Sequence, residues 1–337
     1  MKRICLVVTI VLISLITTVS NVSAQEQIGF TIKSVDVMKQ TQDSVCNPPS
    51  DGFISSQIKF AKELGATHVA ISTPYDDPEC GSSISLTERY VSAIRLNGLN
   101  VWFRQKPLAF EGFYNTPKTT DYNLILDIIG NYILSHRELY MPGDIISPVP
   151  EPQNGGIRGV NCFDDNCLFE KADVFNDWLV LAITETTHAL ENIGLKDQIK
   201  VGYFGFDGFI AWGDRNPNWD GILDPETITA SGSAIAIDHY FPADADPMDE
   251  FRKIRTIFGN DAEICLSEWG SINNEPTERI ETVLLAALRN DMSCINWWHL
   301  GPGGTGEQLL DLTIAEDGSE VLIPNEKYFV VQKLFSL

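Results

Sequence analysis

A strand-like run followed by a helix-like run recurs eight times along residues 28–334. The strand-like runs are 28–37, 68–73, 100–103, 144–152, 200–208, 234–242, 263–270 and 294–304. They are short and largely apolar, as parallel strands covered on both faces should be. The intervening runs 51–65, 86–98, 121–139, 168–193, 224–231, 247–259, 275–291 and 328–334 have helical spacing. In 51–65, Ile54, Ile58, Ala61 and Leu64 fall on one face and Gly65 supplies the stop. In 247–259, Pro247 stands near the start and Gly259 at the end. Eight strands alternating with eight helices predict an α/β fold, a single (β/α)8 TIM barrel. A doubly wound open sheet is the alternative. It has little support as a dinucleotide-binding fold, because no Gly-x-Gly-x-x-Gly follows the first strand.

No linker or change of composition divides residues 25–337, which reads as one barrel domain. Residues 1–24 read as a signal peptide: Lys2 and Arg3, an apolar run over 4–19, then the cleavage motif Val22-Ser23-Ala24. The apolar run is short for a bilayer span, which needs about 20 residues. Export, a mature start at Gln25 and no stable membrane association are expected. With 46 Asp+Glu against 24 Lys+Arg the chain carries a formal charge of −22. That balance argues against nucleic-acid binding, which depends on clustered basic surface. Six cysteines remain after the signal, an even number in an exported chain. The polar loops around Cys46 and Cys80, and the short loop between Cys162 and Cys167, predict two bridges. Cys265 and Cys294 lie in apolar strand-like runs, either as buried thiols or as a third bridge. No cysteine spacing suits zinc, and no metal or cofactor is expected.

Active sites of such barrels lie at the C-terminal ends of the strands. Two carboxylates stand there: Glu151 after the fourth strand, in SPVPEPQNG, and Glu268 after the seventh, in ICLSEWGS. A strand mouth tolerates a lone charge that a strand interior would not. The sixth strand ends in Asp238-His239-Tyr240 and the eighth in Trp297-Trp298-His299. Arg104 and Gln105 end the third strand and suit sugar hydroxyls, with a structural ion pair as the other reading of Arg104. Asp207 ends the fifth and is a candidate for substrate contact. Trp269, Trp297 and Trp298 either fill the core or stack on a pyranose, whose C–H face matches an indole. Trp212 and Trp219, in the loop after the fifth strand, have the same two readings. Trp102 is expected inside the third strand and Trp178 in a helix. The acidic residues Asp76, Asp77, Glu79, Asp164 and Asp165 lack the spacing of a calcium loop and read as solvated. His68, His136 and His188 read as structural.

These motifs resemble the clan A retaining (β/α)8 glycoside hydrolases. In that clan an acid/base Glu ends strand four, commonly as Asn-Glu-Pro, and a nucleophile Glu ends strand seven, often as Thr/Ser-Glu-x-Gly. Glu151-Pro152 matches the first and Ser267-Glu268-Trp269-Gly270 the second. His239 and Tyr240 resemble the sixth-strand pair whose Tyr hydrogen-bonds the nucleophile. Trp297 or Trp298 resembles the eighth-strand sugar platform. The chain departs at Pro150, where many members have an Asn that binds the sugar 2-hydroxyl. Proline offers no side-chain donor. Either Gln153 or Asn154 takes that role, or the chain is an outlying branch, or turnover has been lost. The resemblance implies a secreted, cofactor-independent, monomeric hydrolase of a β-linked glycan, acting with retention. Its two carboxyl groups would then stand about 5–5.5 Å apart. A carbohydrate-binding barrel without turnover and a cell-surface transglycosylase are the alternatives.

Overall fold

The computed structural model describes residues 29–74, 77–106, 122–150, 170–203, 206–207, 234–238, 245–271, 275–303 and 306–337, with single residues 224, 227 and 232. The chain opens with β1 (Ile32–Asp36), a short helix α1 (Met38–Asp43) that the apolar periodicity does not announce, and α2 (Asp51–Leu64). Then come β2 (His68–Pro74), α3 (Ser83–Leu96), β3 (Asn100–Lys106) and α4 (Tyr122–Ser135). Next are β4 (Ile145–Ser147) and the long α5 (Ala172–Asn192). The expected fifth strand is two pieces, β5 (Lys200–Val201) and β6 (Phe206–Asp207). After them come β7 (Ile235–Asp238), α6 (Pro247–Phe258), β8 (Ile264–Trp269), α7 (Thr277–Arg289) and β9 (Cys294–Trp297). A hairpin of β10 (Leu310–Ile314) and β11 (Glu320–Pro324) precedes α8 (Glu326–Phe335).

The large sheet runs β5-β4-β3-β2-β1-β9-β8-β7-β6, and all its pairings are parallel. Its two ends, β5 and β6, are pieces of one run of chain separated by residues 202–205. A sheet whose ends are consecutive in sequence must curl until they meet. That closure makes it a (β/α)8 barrel and rules out the open doubly wound sheet.

Local chemistry explains the helix limits. Ser50 accepts a hydrogen bond from the Phe53 amide at the start of α2, and Gly65 ends it at φ 91°. Asp246 caps α6, with Pro247 in its first turn. The apolar faces of the helices pack on the outside of the sheet, in a core that includes Ile54, Ile58, Val101, Phe103, Ile264, Leu266 and Val283. A second, smaller cluster fills the barrel itself: Ile32, Ala70, Trp102, Ile145, Tyr203, Ala234, Ala236, Cys265 and Cys294. Trp178 is buried in α5, as its position in a helix suggests.

Two disulfides occur among the described residues. Cys46–Cys80 joins the two loops expected to be bridged. Cys265–Cys294 settles the open choice for that pair: the two are register partners on β8 and β9, with Cα atoms 4.6 Å apart inside the barrel. The expected Cys162–Cys167 bridge lies outside the described residues. In the acidic loop, Asp77 accepts hydrogen bonds from the Ser83 amide and hydroxyl at the start of α3. His68 is buried at the foot of β2, where its Nε2 meets the Gly143 carbonyl at 2.9 Å. Among the described residues no helix is long and apolar enough to cross a membrane, and no group of His, Cys, Asp and Glu is arranged to hold a metal ion.

Candidate active site

Side chains alternate along a strand, so the residue two beyond each member of the inner cluster also faces the barrel axis. On β1 that sequence is Ile32, Ser34, Asp36; on β3 it is Trp102 then Arg104; on β9 it is Cys294 then Asn296. The barrel thus changes from apolar to polar as the strands approach their C-terminal ends.

Glu268 enters this polar layer through an irregularity. β8 pairs regularly with β7 up to Leu266 opposite Ile237, and then Glu268 stands opposite Asp238. Its pairing with β9 shifts in the same place, between Leu266 and Trp269. One extra residue is inserted in β8 relative to both neighbours, the signature of a β-bulge. Without it Glu268 would share the face of Leu266, which packs in the outer core. With it both Ser267 and Glu268 turn inward. The Ser267 hydroxyl donates to Asp238 Oδ1 at 2.6 Å, and Arg104 donates to Glu268 Oε2 at 2.8 Å. Gly270 completes the turn: a Cβ there would lie 1.9 Å from the Trp298 carbonyl oxygen, so no other residue lets these strand ends approach.

Arg104 is the hub. Its Nη1 donates to Glu268 Oε2 at 2.8 Å and to Asp36 Oδ2 at 2.9 Å. Side-chain exposure is 2% for Arg104, 0% for Asp36 and 12% for Glu268, so only Glu268 reaches the mouth. Asp36 is held from two further sides, by the Met38 amide and by Asn296 Nδ2 at 3.0 Å. Asn296 also donates to the Ser267 carbonyl at 3.0 Å, which ties β9 to the bulge. The Arg104 guanidinium fixes one oxygen of Glu268 by a charged hydrogen bond and leaves the other edge of the carboxylate toward the mouth. His299, buried just after β9, is pushed below the usual imidazole range by burial, opposed by the nearby Asp36 and Glu307.

Several expected site residues sit elsewhere. Gln105 points the other way from Arg104, because adjacent strand residues face opposite sides. It is fully buried, and its amide donates to the Tyr140 hydroxyl at 2.7 Å, away from the mouth. Trp269 and Trp297 are buried and pack edge to face, with centroids 5.3 Å apart. Trp297 Nε1 also donates to the Glu307 carbonyl at 3.1 Å. Sugar stacking needs an open aromatic face, which neither has. Trp298, partly exposed and immediately after β9, is left as the eighth-strand platform candidate. Arg104 takes the ion-pair reading, with Asp36 and Glu268 as its partners. Asp207 ends β6 opposite Asp238. Glu151, Gln153, Asn154, Trp212, Trp219, His239 and Tyr240 lie outside the described residues. Pro150 is described and buried. The reading of strand ends missed Asp36 and Asn296. Both were accessible to the same rule, since each lies on the inward register at the end of an apolar strand.

No protein-family model matches the chain, and no curated protein does. Solved structures do. A GH5_18 protein from Streptomyces cattleya, in complex with Manb1-4GlcNAc, aligns with a TM-score of 0.61 at 12% identity, over 90% of this chain and 80% of that one. What the two share is the (β/α)8 barrel fold. Aphid myrosinase aligns with a TM-score of 0.58 at 10% identity, over 87% and 88% of the two chains. A glycoside hydrolase family 30 subfamily 8 xylanase from Clostridium acetobutylicum aligns at 0.55 and 13% identity, over 91% and 71%. At such identities the likeness concerns the barrel and not the chemistry.

Proposed function

We propose that this chain is a secreted retaining glycoside hydrolase of a β-linked glycan, with Glu268 as nucleophile and Glu151 as acid/base. The observation that supports it most is the Glu268 carboxylate. It is turned by a bulge into the barrel mouth, held at 2.8 Å by Arg104, and reaches solvent while its partners stay buried. A carboxylate oriented by a buried guanidinium, with one edge open, is arranged to attack rather than to cement a core.

The chemistry follows in two steps. Glu268 attacks the anomeric carbon as Glu151 gives its proton to the departing glycosidic oxygen, leaving a glycosyl ester on Glu268. Water, deprotonated by Glu151, then attacks the same carbon and releases Glu268. Arg104 keeps the nucleophile oriented before the first step. Trp298 offers the sugar an apolar face, with Trp212, His239, Tyr240, Gln153 and Asn154 as further substrate contacts. The structural neighbours include a xylanase and β-mannanases, so xylan and mannan head the substrates to try. The two disulfides, with the apolar leader over 4–19, support export with a mature start at Gln25.

The test is hydrolysis of a panel of aryl β-glycosides and soluble β-glycans, with the anomer of the first product followed by NMR. Retention supports the proposal and inversion contradicts it. Saturable sugar binding without turnover would instead favour a binding barrel, the reading that Pro150 in place of Asn suggests.

A further inference from the structure

The active-site carboxylate shares its guanidinium with a second, deeper carboxylate. Asp36 and Glu268 accept from the same Arg104 nitrogen, at 2.9 and 2.8 Å. Their oxygens are therefore within about 6 Å of each other, a range in which one charge perturbs the other. Asp36 is wholly buried, and Arg104, Asn296 and the Met38 amide all donate to it. A carboxylate with three donors and no open edge contributes nothing to substrate directly. It is also more than a fold contact, because both of its side-chain donors lead to the nucleophile. Arg104 reaches Glu268 itself, and Asn296 reaches the carbonyl of the preceding residue, Ser267.

We propose that Asp36 is a positioning residue for the nucleophile: it fixes Arg104 beneath Glu268 and compensates part of the guanidinium charge. The inference rests on the reading of Glu268 as the nucleophile. Its physical basis is differential binding. Glu268 is fully charged before attack and loses that charge as its oxygen bonds to carbon. With less counter-charge beside it, Arg104 would stabilise the free carboxylate more than the transition state and slow the first step. Asp36 supplies the counter-charge, so that Arg104 orients Glu268 without holding its electrons back. Among the described residues, the other charged or titratable groups around the pair come from three directions. Asp238 of β7 touches the bulge through Ser267, His299 follows β9 beside Asp36, and Lys39 and Glu307 flank His299.

The experiment titrates Glu268 directly. The mature chain is labelled with [5-13C]glutamate, and the Glu268 carboxyl resonance is assigned by its loss in Glu268→Gln. Its midpoint is then compared between wild type, Asp36→Asn and Asp36→Ser. The serine variant removes the charge without fixing an amide donor against the guanidinium, in case the asparagine variant folds poorly. Removing Asp36 should lower the Glu268 midpoint by about one pH unit, since a neighbouring negative charge is lost. The acid limb of kcat/KM on aryl β-glycosides should move down with it, at a lower plateau. An unmoved midpoint in a folded variant overturns the inference, whether or not the enzyme is active. A lowered midpoint in a protein whose wild type hydrolyses nothing supports the coupling and contradicts the hydrolase reading instead.

Discussion

The lower and upper halves of the barrel interior are built by the same strands and have opposite character. Below, Ile32, Ala70, Trp102, Ile145, Ala236, Cys265 and Cys294 form a dry layer, with a disulfide inside it. Two residues further along each strand stand Ser34, Ser72, Arg104, Ser147, Asp238, Ser267 and Asn296, every one polar and every one buried. The lower layer contributes stability through apolar area and close packing. The upper layer contains buried charges, which cost stability unless each is paired and hydrogen-bonded. A barrel bears that cost where chemistry needs oriented charge, and a two-residue step separates the two jobs. Changes above should therefore alter turnover, and changes below should alter unfolding.

The largest effect is expected above. Glu268→Gln should lower kcat by about 10⁴-fold or more, because the nucleophile is gone. Urea unfolding of the same variant should show stability equal to or greater than wild type, since one of several crowded carboxylates has been neutralised. A variant that keeps its activity, or loses it only by unfolding, would break the comparison.

The next effect lies below. Trp102→Ala should cost about 3–5 kcal/mol in urea unfolding. It removes the largest side chain of the lower layer and the donor that Trp102 Nε1 gives to Ser147 Oγ at 2.8 Å. The folded fraction should keep its KM, a split that steady-state kinetics at low temperature would resolve. A change in KM with stability untouched would place Trp102 in the wrong layer.

Replacing Cys265 and Cys294 together by alanine should cost about 2–4 kcal/mol, mainly by freeing the unfolded chain. Both sulfurs are buried, so mild reductant should leave the native bridge intact while opening it after denaturation. Peptide mapping under the two conditions distinguishes these outcomes. Reduction of the native protein at the same rate would show that the layer is not closed.

A smaller effect concerns pH. Burial lowers the affinity of His68 and His299 for a proton in the folded state. The unfolded chain, with imidazoles near pH 6.5, then binds more protons than the folded one as pH falls. Stability is complete above about pH 6.5 and declines below it, toward the depressed folded values. His68→Gln, at the foot of the barrel, should flatten the decline of Tm between about pH 7 and 5 and leave the acid limb of turnover where it was. A shifted limb would mean that the two ends are electrically coupled after all.

The barrel was legible because apolar runs and helical spacing alternate with little interruption. The hairpin of β10 and β11 was not, because LDLTI and EVLIP form a separate two-stranded sheet among the described residues and fall outside the strand-helix alternation. Glu268 was legible as a charge at a strand mouth, but the bulge that turns it inward was not, since register is a property of three strands at once. Gln105 and Trp297 were misplaced by selecting strand ends without alternation. The period of two keeps Arg104 and Asn296 on the inward register and sends Gln105 and Trp297 outward. The same period, run along β1 from Ile32, would have found Asp36.

The central claim is that Glu268 attacks the sugar. The most direct measurement is trapping with 2-deoxy-2-fluoro-β-glycosyl fluorides of glucose, mannose, xylose and galactose, followed by mass spectrometry of the digested protein. The 2-fluorine slows both formation and release of the glycosyl ester, and the reactive fluoride leaving group offsets the loss in formation only, so the intermediate accumulates. The account predicts one added glycosyl group, on the peptide containing Glu268, and none in Glu268→Gln. A label on a different carboxylate, or turnover of the natural glycan with inversion and no label, would contradict it.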